Sequence, residues 1–263
     1  MSTKPTWATT AGTTVEPSAG QKAAGFAVAT RPPARWVNWI LNSLCQYIED
    51  HVSFRTRQVL TGSGTYTKPA NCVAINVRVY GGGGGGGNAH ASDGGSRAAG
   101  SGGGAGGCAE MLITSPAATY AYACGAGGAA EVAGGDTTFG AGPSVKAKGG
   151  GAGVTGPSHN TTYLTFFTPG SVQAVSGGIG DRVSYGEGGR PSFVTYVSAM
   201  LSGAGGSSDV GGGGAAHYGS AAPENGSDGV GYASGGSGAI SESNVAKTGG
   251  AGTAGIIVVD EYY

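Results

Sequence analysis

Apolar residues recur along this chain with two different periods, and each period predicts a different element. In "ARWVNWILNSLCQYIEDHVSFRTRQ", apolar side chains return at steps of four and three residues, which is the period of one helix face. The preceding Pro32 and Pro33 suit a helix start. We therefore predict an amphipathic helix within residues 31–60, whose apolar stripe consists of Trp36, Val37, Ile40, Leu41, Leu44, Ile48 and Val52.

The stripe is wide enough that a helix standing alone would expose a large apolar surface to water. Three partners fit it: the chain's own downstream domain, a bundle of identical helices, or a larger assembly on which the helix docks. Residues 1–30 show no sustained period and are rich in Thr, Ala, Pro and Ser. They predict an extended segment that needs a partner to hold it.

The second period is that of a strand. Val73, Ile75, Val77 and Val79 alternate with small or polar residues, as expected when one face of a strand is buried. The β-branched residues 256–259 predict another strand close to residue 263. Weaker strand candidates bounded by glycines lie between these two: "CAEMLITS", "ATYAYACG", "TTYLTFFT", "GSVQAVSG" and "SFVTYVSAML".

Glycine changes this picture, because 57 of the 263 residues are glycine and only Gly12, Gly20 and Gly25 precede residue 62. Disorder is one interpretation of such tracts. The alternative is an ordered lattice of polyproline II helices, which have three residues per turn and no internal hydrogen bonds and therefore pair with their neighbours. The strand patterns on both sides of the glycine tracts favour the lattice.

The predicted fold class is thus mainly β and irregular. It consists of an extended segment over 1–30, one α-helix within 31–60, and a glycine-rich domain over 61–263 built of short β-strands and packed polyproline II helices.

Charge and cysteine content narrow the possible partners. Only 11% of residues are charged, the net charge is −1, and no stretch gathers Lys and Arg into a block, so we expect no nucleic-acid partner. No apolar run approaches the roughly 20 residues that span a bilayer, so we expect no membrane insertion. The four cysteines form no Cys-x-x-Cys pair, which predicts reduced thiols; a Cys108–Cys124 disulfide is the alternative.

The sequence contains little that indicates a catalytic site. Gly-x-Gly-x-x-Gly occurs at 102–107, at 151–156 and within 249–255, but none of these three follows a strand and opens a helix, as dinucleotide binding requires. The four histidines lie far apart in sequence. We therefore expect no catalytic residue, no cofactor and no metal. Acidic pairs such as Asp181 with Glu187, or Glu224 with Asp228, leave a glycan-cleaving enzyme as a minor alternative.

Longer stretches resemble known proteins. "GTYTKPANCVAINVRVYGGGGGGG", the later glycine clusters and the closing "GIIVVDEYY" resemble the glycine-rich domain of bacteriophage tail-fibre proteins. The upstream "EPSAGQKAAGFAVATRPPARWVNWILNSLCQYIEDH" is similar to the attachment segment of phage tail proteins. In related tail-fibre-tip adhesins, the domain packs polyproline II helices into a sandwich whose tip loops bind bacterial outer-membrane proteins. The resemblance implies host recognition by a short fibre, most simply a trimer, fixed directly to the tail.

From this resemblance we expect a virion protein, assembled in the host cytoplasm, that contacts other tail or baseplate proteins and a bacterial cell-surface receptor. A structural spacer or cap without receptor binding is the alternative, and ice binding is a third class that leaves the attachment segment unexplained. Loops that leave the glycine layers supply the contacts in this interpretation. The candidates are His159, Asn160, Tyr185, Arg190, His217, Tyr218 and Tyr232.

Overall fold

The computed structural model describes residues 18–19, 37–41, 43–44, 55–90, 95–142, 144–159, 165–166, 178–194, 199–219, 223–242 and 244–263. The chain divides into two units, Met1–Phe54 and Arg55–Tyr263. In the first unit, residues 37–41, 43 and 44 are helical. Val37, Ile40, Leu41 and Leu44 are each more than one-third exposed, so this part of the predicted stripe faces solvent within its own unit. Trp36, Ile48 and Val52 lie outside the described residues.

The second unit is built on antiparallel strands. The described residues form β1 (Arg55–Leu60), β2 (Ser63–Thr67), β3 (Ala74–Tyr80), β4 (Arg97–Ala99), β5 (Cys108–Ile113), β6 (Thr119–Ala123), β7 (Thr137–Phe139), β8 (Val145–Ala147), β9 (Thr165–Phe166), β10 (Arg182–Ser184), β11 (Phe193–Val194), β12 (Met200–Leu201), β13 (Gly211–Gly212), β14 (Tyr218–Gly219), β15 (Val230–Gly231), β16 (Ile240–Glu242) and β17 (Ile256–Tyr262). The predicted mainly β fold class is confirmed.

Two of the sheets pack face to face as a sandwich. One has the strand order β1-β17-β3-β5-β10 and the other β2-β6-β7-β8. Alternation along β3 and β17 directs Ile75, Val77, Val79, Ile257 and Val259 inward, where all five side chains are buried. The opposite sheet contributes its own buried residues to the same core, namely Tyr66, Phe139, Val145 and Ala147. The sandwich is therefore an ordinary hydrophobic core, filled by side chains.

The predicted helical region 31–60 includes residues that form a strand. Residues 55–60 are β1, which pairs antiparallel with β17 in the register Arg57↔Asp260. The physical reason is the partner strand: Asp260 and Glu261 supply polar contacts to both faces of β1, and a long-range partner of this kind cannot be seen in local periodicity.

Beyond the sandwich the chain forms what we call the glycine lattice, comprising residues 81–87, 100–107, 125–136, 148–154, 186–190, 203–206, 226–229, 233–239 and 249–255. Its central run, Gly81–Gly87, is fully buried. All seven N–H groups donate to carbonyls of other segments at 2.8–2.9 Å. Gly81, Gly84 and Gly87 donate to Gly107, Gly104 and Ser101; Gly82 and Gly85 donate to Gly135 and Val132; Gly83 and Gly86 donate to Thr253 and Gly250.

The partners therefore change at every residue and return after three, which is the geometry of a polyproline II helix. Carbonyls of the same run accept from residues 128–131, 150–153 and 236–239. Segment 125–136 turns at Ala129–Val132 and passes the run twice, so five segments surround one extended thread in six passes. A strand in a sheet has two such neighbours, so the lattice bonds the same backbone in three dimensions.

Glycine is required here because of space. A Cβ atom on any residue of Gly81–Gly87 would lie 1.8–2.1 Å from a backbone carbonyl oxygen of a neighbouring segment. None of the seven has positive φ; positive values among the described glycines occur at Gly62, Gly95, Gly140, Gly142 and Gly231. The tract consequently excludes alanine by steric contact rather than by backbone conformation.

Strands and lattice are continuous segments of one chain. β3 ends at Tyr80 and the central run begins at Gly81, while residues 249–255 lead directly into β17. At this junction the buried Thr137 hydroxyl donates to the Tyr80 carbonyl at 2.6 Å and accepts the Gly125 N–H at 2.9 Å. The sandwich therefore fixes the position of these two threads at one end. We call this the sheet end of the lattice, and the end near Gly87 the distal end.

Candidate functional site

The predicted contact residues separate into two groups along the lattice. His217 and Tyr218 lie at the distal end, where the Ser202 N–H donates to the His217 carbonyl at 2.9 Å beside Gly203. His159 is also distal, because its backbone forms hydrogen bonds of 2.9 and 3.0 Å with Arg97. Arg190 lies near the distal end as well, because its carbonyl accepts the Gly102 N–H. Asn160 falls outside the described residues.

His217 fastens two distal loops together. Its Nδ1 lies 2.6 Å from Glu224 Oε2, and its Nε2 lies 2.9 Å from Ser227 Oγ. A carboxylate only accepts, so Nδ1 carries a proton and donates to Glu224. This is the hydrogen-bond order of a nucleophile–base–acid relay. The Ser227 N–H donates to Ser237 Oγ at 2.8 Å, so this set of hydrogen bonds links His217, Glu224, Ser227 and Ser237.

Two distal side chains extend into solvent. Tyr218 is 71% exposed. The Arg190 guanidinium donates to Glu187 at 2.8 Å, and the other carboxylate oxygen of Glu187 accepts the Ser207 N–H at 3.0 Å. Both side chains are anchored on backbone that the lattice holds in place. The distal end can therefore present aromatic and cationic groups from fixed positions.

Tyr185 and Tyr232 belong to a different place, the sheet end. Tyr185 follows β10 and is 61% exposed. The Tyr232 N–H donates to the Val210 carbonyl at 3.2 Å, and the Ser208 hydroxyl donates to the Tyr232 carbonyl at 2.6 Å. The structure therefore does not gather the predicted residues into one site.

A cavity of about 290 Å³ lies on the outward face of the larger sheet, and we call it the side cavity. Its lining comes from three adjacent strands and one turn: Arg78 and Tyr80 of β3, Cys108 and Glu110 of β5, Arg182 and Ser184 of β10, and Asp209. The registers Arg78↔Glu110 and Arg182↔Glu110 place cation, anion and cation in a row across the sheet. Sequence reasoning missed this site, because outward charges on a strand are typical of any solvated face.

Two groups in the cavity are held neutral. Burial raises the pKa of Tyr80 to about 12, with the nearby Cys108 contributing. Burial likewise raises the pKa of the Cys108 thiol to about 11. Near neutral pH Tyr80 and Cys108 therefore add no charge to the cavity.

Two arginines that do not line the cavity, Arg55 and Arg57, share a carboxylate with the cavity-lining Arg78. Arg55, Arg57 and Arg78 all contact Asp260, whose side chain is only 2% exposed, at 2.7–3.0 Å. One carboxylate is thus shared by three guanidinium groups. Arg78 also has a buried Nε without a hydrogen-bond partner in the part of the chain that the structure describes.

The remaining predicted chemistry is as follows. Cys108 and Cys124 are free thiols; they contact different hydrophobic clusters, Cys108 beside Tyr80 and Cys124 against the sandwich core, so the disulfide alternative is wrong. Among the described residues, no three His, Cys, Asp or Glu side chains are grouped as a metal site requires. A helix with the length and apolar character to cross a bilayer is likewise not found among them.

Comparison with known proteins gives one finding for this unit. The family model described as a glycine-rich domain matches residues 58–262, which covers every strand from β2 to β17 and all of the glycine lattice. No curated protein matches the chain. The matched segment is most of the sequence, and the chain belongs to the glycine-rich domain family.

Proposed function

We propose that this chain is a phage tail-fibre protein that attaches to the tail through its amino-terminal part and binds a host cell-surface receptor through loops of the glycine-rich domain. The observation that supports this best is that all seven N–H groups of Gly81–Gly87 donate to carbonyls of other segments. A block with no side-chain freedom inside offers variety only in the loops that leave it, so recognition by this domain falls to those loops. Binding without catalysis is sufficient for this role.

Attachment is assigned in this proposal to the first unit, Met1–Phe54, because residues 55–60 form β1 of the second unit. Val37, Ile40, Leu41 and Leu44 form an exposed apolar surface on the described helical residues, of the kind that a bundle of copies or a tail protein would cover. A homotrimer places three glycine-rich domains on one fibre, and several fibres on one virion raise avidity without improving any single contact.

A spacer or cap without receptor binding is the second candidate. It is supported by the lattice itself, which satisfies its backbone without any ligand. The two candidates differ in whether the distal loops contact the host.

Competition for adsorption tests the proposal. The full-length protein is added to host cells before the phage, and the fraction of adsorbed phage is measured. Blocking is expected, and Tyr218→Ala is expected to weaken it about tenfold or more, since exposed aromatic residues at a binding centre contribute about 2 kcal/mol or more.

Val230→Ala is the matched control, because Val230 is equally 71% exposed but lies at the sheet end. Two results together would support the spacer instead. The wild-type protein would fail to block adsorption at any concentration, and the chain would be found inside the phage particle.

A further inference from the structure

The side chains around His217 have the distances of a catalytic triad. His217 Nε2 lies 2.9 Å from the Ser227 hydroxyl oxygen, and Nδ1 lies 2.6 Å from the Glu224 carboxylate. A nucleophilic serine needs a base within about 2.6–3.2 Å, and the base needs a third group that orients it. Both distances lie within that range. Triads are identified by such roles and distances, because the order of the three residues along the chain differs between unrelated folds.

The nucleophile and the base stand on backbone that is fixed in two directions. The His217 N–H donates to Ser202 Oγ at 2.8 Å, and the His217 carbonyl accepts the Ser202 N–H at 2.9 Å. Ser227 is held by Ser237 in the same way, at 2.8 and 2.9 Å. Ser202 and Ser237 are both buried. The interior of the domain therefore sets the positions of His217 and Ser227.

The third member and the peptide at the nucleophile are fixed as well. Glu224 and Ile240 each donate an N–H to the carbonyl of the other at 3.0 Å. A Cβ atom on Gly214 or Gly250 would lie 2.1 or 2.0 Å from the Ser227 carbonyl oxygen, so two glycine threads pack directly against this peptide. Reacting groups that are already in position lower the cost of reaching the transition state.

A backbone donor follows the nucleophile. The Asp228 N–H donates to no acceptor in the part of the chain that the structure describes. In α/β-hydrolases, the N–H of the residue after the serine is one of the donors that stabilise the oxyanion of the tetrahedral intermediate. The Ser227 N–H is bonded to Ser237. We therefore assign the oxyanion to the Asp228 N–H.

The surroundings of Ser227 limit the class of substrate. The exposed Glu224 and Asp228 place two carboxylates near the hydroxyl, and among the described ion pairs neither has a Lys or Arg partner. A negatively charged substrate would be repelled. Ser227 is half-buried, which favours a small acyl group. An ester is favoured over an amide, because an alcohol leaves more readily than an amine.

We propose that Ser227, His217 and Glu224 form a hydrolytic site for small, uncharged carboxylic esters. Ser227 Oγ attacks the carbonyl carbon and gives its proton to His217 Nε2, which passes it to the departing alcohol and leaves an acyl group on Ser227. Water then gives a proton to the same nitrogen and attacks the acyl carbon. The carboxylic acid leaves as the proton returns to Ser227 Oγ. This activity does not rest on the proposed receptor binding.

Two probes applied to the full-length protein test the site. Hydrolysis of p-nitrophenyl acetate is followed by the release of p-nitrophenolate, and we expect a rate above that in buffer. The negatively charged ester 4-acetoxy-3-nitrobenzoate should react more slowly. A fluorophosphonate, which bonds to an activated serine as fluoride leaves, should modify Ser227, as located by mass spectrometry of peptides.

Ser227→Ala and His217→Gln are each expected to lower the rate above background at least about 100-fold, since general base catalysis contributes about that much or more. Ser208→Ala is the control for the serine, because its hydroxyl donates to the Tyr232 carbonyl at 2.6 Å. His90→Gln is the control for the histidine, because it removes an exposed imidazole outside the triad. Both controls should keep the wild-type rate.

Glu224 is a positioning residue, and its role has its own signature. Ionised Glu224 stabilises the charged form of His217, which cannot act as a base. Glu224→Gln should therefore lower the rate and also move the rise of activity with pH toward lower pH. A loss of rate without this shift would overturn the role assigned to Glu224.

Several results would overturn the site as a whole: hydrolysis no faster than in buffer, a fluorophosphonate adduct on another residue, or a wild-type rate in Ser227→Ala. Thermal unfolding shows whether the variants are folded, and the adduct on the wild-type protein decides if they are not. Protein that blocks adsorption but hydrolyses no ester keeps its receptor-binding function and loses this site. Protein that hydrolyses the ester without blocking adsorption keeps the site and loses that function.

Discussion

The sandwich and the glycine lattice bury their backbones by opposite means. In the sandwich, side chains fill the space between two sheets, and the stacked rings of Tyr120 and Phe139, 4.9 Å apart, are typical of it. In the lattice, the space between threads is filled by other threads. The comparison shows that burial does not require hydrophobic side chains when every amide finds a carbonyl, provided that no Cβ separates the threads.

The two regions therefore differ in what they tolerate. A hydrophobic core accepts substitutions that conserve volume and loses stability gradually. A lattice position enclosed by backbone on all sides has no smaller or softer alternative to glycine. The sandwich is robust at each position, and the lattice is not.

Gly84→Ala gives the largest expected effect. Its Cβ would lie 2.1 Å from the Gly151 carbonyl oxygen, and neither thread can move without breaking bonds to its other neighbours. We expect a loss of more than about 5 kcal/mol in the free energy of unfolding, beyond the usual range for one substitution. Denaturant unfolding of the full-length protein measures it.

Two control glycines separate the causes. Gly212 has no atom within 4 Å of a Cβ position and no positive φ, so Gly212→Ala should change stability by less than about 0.5 kcal/mol. Gly62 is equally open but has a φ of 69°, so Gly62→Ala should cost about 1–2 kcal/mol. If Gly84→Ala resembled either control, the lattice would not be packed as described.

Phe139→Ala tests how much stability the sandwich core loses when one buried side chain is truncated. Phe139 is fully buried and contacts the rings of both Tyr66 and Tyr120, so truncation should cost about 3–5 kcal/mol. Phe139→Leu should recover most of this loss, because a smaller apolar side chain still fills part of the space. Thermal and denaturant unfolding check both variants; equal losses in the two would contradict a tolerant core.

Asp260→Asn is expected to have a smaller effect that depends on pH. Burial alone would raise the pKa of Asp260, but its hydrogen bond with Arg57 and the charges of Arg57, Arg55 and Arg78 outweigh burial and hold the pKa below its usual value. The stability that ionised Asp260 contributes is therefore fully present above about pH 3.9, the value of an unfolded aspartate. It is lost as the pH falls through the lower folded value.

Near neutral pH we expect Asp260→Asn to lose about 1–3 kcal/mol, and the difference from wild type should shrink below about pH 4. Urea unfolding at several pH values gives the measurement. A difference that stayed constant into acid would mean that the charge of Asp260 contributes nothing.

Local pattern predicted the strands that carry a clean alternation. The expected strand at 73–80 is β3, the expected one at 256–259 is the first part of β17, and "CAEMLITS" and "ATYAYACG" contain β5 and β6. "SFVTYVSAML" forms two short strands, β11 and β12, rather than one, and "GSVQAVSG" lies outside the described residues. The polyproline II arrangement was also predicted, because strand patterns lie on both sides of the glycine tracts.

What the sequence could not predict is which threads and strands become neighbours. β1 carries a hydrophilic sequence, and only its pairing with Asp260 and Glu261 makes it a strand. The side cavity depends on the alignment of Arg78, Glu110 and Arg182 across three strands that are far apart in the chain. Tyr185 and Tyr218 look alike as loop tyrosines, yet they lie at opposite ends of the lattice. These relations are long-range, and a single sequence carries no local signal of them.

The three-residue repeat of the central run limits how such a domain can change length. One residue inserted within Gly81–Gly87 would turn every later amide by a third of a revolution and direct it to a different neighbour. Three inserted residues would restore the original partners and lengthen the thread by about 9 Å. The connecting loops obey no such rule, so insertions and deletions of any size should accumulate there, while related chains differ inside the lattice only by whole turns.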